Sequence, residues 1–284
     1  MYTREFPKPL WLLIVAVASI GIILLFRPSE TSTRLVSRWR PQPLATQPDQ
    51  PSQINNPPPP AAIMGEAQPV AQFDLAVDGG LYAGDRTALA DDLQAALAYV
   101  TGRFGSGPSG RFKATVVRED GCGLHGIAYT DLRVVQVFTC NDIARERAVA
   151  IMAHEFVHQF EQDRYGPAHL HSDLILSEGT ATWGAGKYWL GGQLDFRAYV
   201  RDQRRSGVFY PLATDYTGLG IGAMNALYYQ WASFVDFLIS TYGRDKFDRL
   251  YVTGDNAPGS ADYVGTYGKG LDALEQEWQA WLDT

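Results

Sequence analysis

The chain has 284 residues, 46% of them apolar and 12% aromatic, enough to bury one substantial core. A net charge of −7 and a pI near 5.2 exclude the polycationic field that grips a phosphate backbone non-specifically, so nucleic acid is not an expected partner. Two cysteines, Cys122 and Cys140, are too few for a multi-cysteine zinc cage. They fit one disulfide in an oxidising compartment, with two reduced, buried thiols as the alternative.

After a short tail over residues 1–9, Leu10 to Phe26 form 17 consecutive residues without a charge, at the short end of what spans a bilayer as a helix. We read a transmembrane anchor. A cleaved signal peptide is the rival reading, but Phe26, Arg27 and Pro28 follow where small residues would mark a cleavage site. Arg27, Arg34, Arg38 and Arg40 follow the segment and only Arg4 and Lys8 precede it, so a literal charge count puts the C-terminal side in the cytoplasm. Long domains translocate largely regardless of charge, and the cysteine pair favours an oxidising side. We therefore expect a single-pass membrane protein with its domain outside the cytoplasm. Residues 27–71, rich in Pro, Gln and Asn from Pro41 onward, read as an extended stalk; recognition of Pro57 to Pro60 by a proline-reading domain is the alternative.

The folded domain is expected over 72–284. Leu89, Leu93, Ala96, Leu97 and Val100 recur at helical spacing within Asp85 to Phe104, with Asp85 as a cap and Gly105 as a stop. Strands are expected over Arg111 to Arg118, Gly126 to Thr130 and Leu132 to Thr139, forming a small antiparallel sheet whose loops Cys122 and Cys140 would tie together. Asn141 or Asp142 can cap a buried helix over Ile143 to Arg164. Helical patterns follow over Asp173 to Tyr188, Leu194 to Arg205, Gly222 to Tyr242, Asp245 to Val252 and Leu271 to Leu282. Strands first and helices afterwards predict an α+β architecture.

Within the buried helix, His154-Glu155-Phe156-Val157-His158 places two imidazoles four residues apart on one face, where a single zinc ion can take both. Glu155, three residues before His158, can reach a water on that ion as general base. Two histidines that merely hydrogen-bond within a helix are the alternative. A third ligand is needed to leave one open position, and Glu178 in Leu176-Ser177-Glu178-Gly179-Thr180-Ala181 is the best candidate. Small Gly179 and Ala181 beside it would let two helices approach closely enough to share one ion; an ordinary first-turn glutamate is the plain reading.

The pattern His154-Glu155-x-x-His158 followed by Ser177-Glu178-Gly179-x-Ala181 resembles the gluzincin peptidases, especially the compact peptidase-MA-like group. Tyr228 to Val235 with Leu238 and Tyr242-Gly243 is similar to that family's later helix, and Leu274-Glu275 through Trp278 to its closing helix. The likeness runs over about Ala148 to Leu282. It implies a zincin-like fold, His154, His158 and Glu178 as ligands of one Zn2+, and Glu155 as base. Where some gluzincins carry an acidic residue four positions after the ligand glutamate, this chain has Thr182, so the group that orients a ligand histidine is not identified.

These readings predict a membrane-anchored zinc metallopeptidase acting on a peptide or protein substrate. Tyr228 and Tyr229 are the candidates for stabilising the oxyanion, although aromatics in that setting usually belong to a core; His169 and His171, read as exposed, compete. Gly121 to Tyr129 is the expected edge for an extended substrate, and His125 is read as surface or structural. The rival functions are a non-catalytic zinc-binding interaction domain tethered to the membrane and a stalked structural protein without metal.

Overall fold

The computed structural model describes residues 73–191 and 195–284. The anchor expected over 10–26, the stalk over 27–71 and the helix start at Leu194 lie outside the described residues. No helix among the described residues is long and apolar enough to cross a membrane.

Four strands open the fold: β1 (Phe73–Val77), β2 (Phe112–Arg118), β3 (His125–Tyr129) and β4 (Val134–Thr139), in sheet order β1-β2-β4-β3. The sheet is mixed, not antiparallel as expected. β1 and β4 both run parallel to β2, and only β3 with β4 is antiparallel. The reason is the helix α1 (Arg86–Phe104) between β1 and β2: a helical crossover returns the chain in the same direction, making a βαβ unit. β3 and β4 form a hairpin with β3 outermost, so the link from β2 crosses the end of β4. The Cys122–Cys140 disulfide, with Cα atoms 5.0 Å apart, pins that link to the end of β4.

Helix α1 buries the expected stripe of Leu89, Leu93, Ala96, Leu97 and Val100, and Gly105 ends it in a left-handed conformation (φ 88°) with its N–H on Thr101 O. Asp85 sits at its cap position without a side-chain hydrogen bond. The next helix, α2 (Arg145–Tyr165), starts after Ala144, and neither Asn141 nor Asp142 caps it. Asn141 instead accepts from Tyr82 N and donates to Gly80 O, tying the end of β4 to the β1–α1 loop.

A 3-10 turn (Gly166–His171) leads to α3 (Leu174–Ala185) and the short α4 (Lys187–Leu190), followed by α5 (Phe196–Arg205), α6 (Ile221–Tyr242), α7 (Arg244–Tyr251), α8 (Tyr263–Tyr267) and α9 (Leu271–Asp283). Asp173 fixes where α3 begins. Its buried carboxylate accepts from Ile175 N, Gly259 N, Ala261 N and the Tyr263 hydroxyl at 2.9–3.0 Å, pinning the loop before α8 against this helix start.

Two apolar cores result. One joins the sheet, α1 and α2 through Phe104, Phe112, Val135, Phe156 and Phe160; the other joins the later helices through Trp231, Phe234, Phe247, Tyr251 and Trp278. α3 is apolar on nearly all sides and belongs to both, giving Ala181 and Ala185 to the first and Ile175, Leu176 and Trp183 to the second. Each large side chain buried in this way contributes about 2 kcal/mol. The seam between the cores, where α2 faces α3, is where the chemistry gathers.

Candidate metal centre

α2 and α3 bring three side chains to one point. His154 Nε2 lies 3.2 Å from Glu178 Oε2 and 3.2 Å from His158 Nε2, and His158 Nε2 lies 3.9 Å from Glu178 Oε2. Donors bound tetrahedrally to one zinc at its usual bond lengths stand about 3.3 Å apart, so the three atoms fit a single ion. Two imidazole nitrogens aimed at each other beside a carboxylate are otherwise poorly matched in a buried site. Burial lowers the pKa of both histidines and keeps them neutral, the form that ligates metal. Burial pushes the Glu178 carboxyl up, but contacts with His154, His158 and Tyr228 outweigh it and hold the group at about 2.

The close approach of the helices depends on glycines, though not in the way expected. A Cβ on Gly179 would come within 2.9 Å of Trp231 O and Val235 Cγ2, so that glycine admits α6. Gly184 serves α2: a Cβ there would lie 2.6 Å from Val157 Cγ2. Ala181 does face the first core, as its place beside α2 requires.

A second layer holds these three side chains. Glu161 Oε2 lies 2.8 Å from His158 Nδ1, and Glu161 is fully buried. Thr182 Oγ1 lies 3.4 Å from His154 Nδ1, so the hydroxyl stands at the very ring nitrogen that an acidic residue at this position would address. Trp189 packs on the His154 ring at 4.8 Å, and Tyr228 stacks parallel to it at 6.0 Å.

Glu155 is buried beside the trio, and its carboxylate has no hydrogen-bond or ion-pair partner among the described residues. Burial, then the nearby Glu178 and Glu161, push its pKa well above the usual carboxylate range. Gly126 of β3 passes directly over it: a side chain there would run into the Glu155 carboxyl. β3 is an edge strand of the sheet, and residues Leu124 to Ala128 line a cavity of about 1000 Å³ that His154, Glu155, His158 and Glu178 also line. The strand expected to meet a substrate thus lies along the wall of that cavity.

Of the two tyrosines, Tyr228 points its hydroxyl at Glu178 and contacts Tyr216, and burial raises its pKa well above the usual value. Tyr229 lines the cavity, but its hydroxyl donates to Trp189 O at 3.2 Å. His171 is exposed; His169, expected to be exposed as well, is not, because the 3-10 turn tucks it against Tyr251, with Nδ1 2.9 Å from the hydroxyl. His125 is buried, stacked on Phe138 at 4.5 Å with Nδ1 3.2 Å from Glu119. Glu161 escaped the sequence reading, although three residues past His158 is the spacing that puts two helical side chains in contact.

Neither a protein-family model nor a curated protein matches the chain. Solved structures that it resembles include an M1 zinc metallopeptidase from Deinococcus radiodurans, at 20% identity and TM-score 0.44 over 75% of this chain and 48% of that one. Another is an aminopeptidase N family protein from Idiomarina loihiensis, at 13% identity and TM-score 0.45 over 73% and 44%. The chain spans about half the length of these structures or slightly less.

Proposed function

We propose that the chain is a zinc-dependent peptidase in which His154, His158 and Glu178 hold one Zn2+ and Glu155 is the general base. The observation that carries this reading is the meeting of three donor atoms, 3.2–3.9 Å apart, on a cavity wall beside a fourth side chain, the Glu155 carboxylate, unpaired among the described residues. A purely structural zinc site fills its coordination with protein and has no use for such a carboxylate, which argues against the interaction-domain alternative.

When bound, zinc supplies Lewis acidity that lowers the pKa of a water towards about 7 and polarises a carbonyl. The raised proton affinity of Glu155 suits it to take a proton from the attacking water and pass it to the leaving nitrogen. Tyr228 keeps its proton and can donate it towards the oxygen that gains charge; losing one such donor typically costs about 3 kcal/mol. Tyr229 is the lesser candidate for this role, since its hydroxyl is committed to Trp189 O. The outer edge of β3 offers backbone groups to an extended peptide or protein substrate.

The membrane anchor over 10–26 and the extracytoplasmic placement belong to the same proposal and rest on composition. Cytoplasmic exposure of a tag after Thr284 would overturn the orientation. The catalytic reading is tested by peptide hydrolysis with the chain and its Glu155→Gln variant, with and without chelator. Expected are chelator-sensitive cleavage by the unaltered chain and zinc retained without cleavage by the variant. Zinc retention with no chelator-sensitive cleavage across a broad peptide library would sink it.

A further inference from the structure

The cavity is unequal in charge from end to end. Arg147 is the only Lys or Arg that lines it among the described residues. It stands on the ligand face of α2, seven residues before His154, so its Cα lies about 10 Å up the helix from that ligand. Arg145, two residues earlier and turned away, takes the acidic neighbours: its guanidinium reaches Asp92 at 2.9 Å, Glu146 at 3.3 Å and Asp85 at 3.8 Å. Arg147 has no ion pair or side-chain hydrogen bond among the described residues, and the aromatic Tyr229 is its neighbour across the cavity. Glu146 is the one acid on the cavity wall away from the ligands and Glu155, and it is paired with Arg145.

At the other end the wall is formed by Thr130, His169, Leu170, Ser172 and Asn256, with no carboxylate among the described lining residues there to receive a free α-amine. The direction of β3 gives the two ends different meanings. Gly126 lies over Glu155, and the Thr130 hydroxyl donates to Gln162 Oε1 at 3.4 Å, so β3 and α2 run the same way along the cavity. A peptide pairing antiparallel with the free edge of β3 then sends its C-terminal end towards the start of α2. At about 3.4 Å per extended residue, 10 Å is roughly three residues.

Resting on the peptidase reading above, we infer that Arg147 is a specificity determinant that binds a substrate carboxylate about three residues to the C-terminal side of the cleaved bond. That carboxylate is either an acidic side chain or the chain terminus. The first turn of α2 reinforces the preference, because helix N-termini favour negative charge.

The test uses the full chain and decapeptides in which one Asp is walked through the sequence, each paired with its Asn counterpart, and each made with a free or amidated C-terminus. Binding is read by fluorescence anisotropy on the zinc-loaded Glu155→Gln chain, with and without Arg147→Glu, and cleavage sites are read by mass spectrometry on the unaltered chain. Arg147→Glu is expected to weaken the preferred acidic peptide roughly 10- to 100-fold relative to its neutral counterpart. Arg147→Lys should restore part of the preference. An acid-to-neutral ratio that Arg147→Glu leaves unchanged, or no peptide binding at all, would overturn the inference. Arg147-dependent binding without cleavage by the unaltered chain would leave the anion site standing and remove the peptidase reading instead.

Discussion

Glu161 Oε2 lies 2.8 Å from His158 Nδ1, inside a helix turn that excludes solvent from the carboxylate. With zinc bound and Glu161 ionised, a proton on Nδ1 would donate to this carboxylate and leave the lone pair of Nε2 facing Glu178 and His154, the tautomer a metal needs. Glu161→Ala is therefore expected to weaken zinc binding about 10- to 100-fold, while Glu161→Gln, which can still accept from Nδ1, loses less. Competition with a chromophoric chelator measures both. Equal zinc affinity in all three chains would show that the contact does not orient His158.

Gly126 gives a cleaner probe of Glu155 than any change to Glu155 itself. The backbone of β3 runs so close over the carboxyl that Gly126→Ala must displace it, and the displaced atoms belong to a movable side chain. The fold and the zinc trio should survive, and kcat should fall on the order of 100-fold, the scale set by a misplacement of about 1 Å. Unaltered kcat at full zinc occupancy would show that Glu155 has room to spare.

What could be read in advance and what could not follows from how far apart the interacting residues are. The His154–His158 pair is set by helical spacing alone, so it was legible, and Glu178 could be found because small Gly179 and Ala181 flank it in a second helical pattern. The direction of the strands was not legible, because β1 pairs with β2 across the whole of α1 and five residues carry no signal of their partner. The glycines could be seen to permit close packing, but which helix each one admits depends on three-dimensional placement: Gly179 meets Trp231 and Gly184 meets Val157. Thr182 looked like a missing partner and turns out to stand beside His154 Nδ1, a hydroxyl in place of a carboxylate.

Asp163 ties three segments together at the end of α2. Arg133 of the β3–β4 turn donates to both of its oxygens, at 2.5 and 3.1 Å, and Ser109 N donates at 2.8 Å. Burial pushes the Asp163 pKa up, but these donors outweigh it and hold the group below its ordinary value. A depressed carboxylate stabilises the fold above its unfolded pKa of about 3.9 and loses that contribution as pH falls through the folded value. Asp163→Asn should cost about 2 kcal/mol at neutral pH, with the gap to the unaltered chain narrowing below about pH 4. Urea unfolding at pH 7 and pH 3 checks this, and a gap that stays constant would assign the loss to packing.

Zinc uptake should itself be proton-linked through Glu161. In the metal-free chain, burial raises this carboxyl to about 8, so it holds a proton at pH 7. A dication on His158 Nε2 makes Nδ1–H a stronger donor and favours the ionised carboxylate, so the proton must leave. Burial keeps His154 and His158 neutral and Glu178 is already ionised at about 2, so the other carboxyl able to release a proton is Glu155, which burial also raises well above its usual range. The sign follows. Uptake at pH 7 therefore releases at least the Glu161 proton, and zinc affinity rises with pH by roughly tenfold per unit for each proton released. The metal-free chain, by the same raised pKa, loses stability as pH climbs from the ordinary carboxylate range towards 8. Calorimetric zinc titrations at pH 7 in buffers of different ionisation enthalpy count the protons directly. Glu161→Gln should lower the count by about one relative to the unaltered chain; the same count in both chains would place the released proton elsewhere in the site.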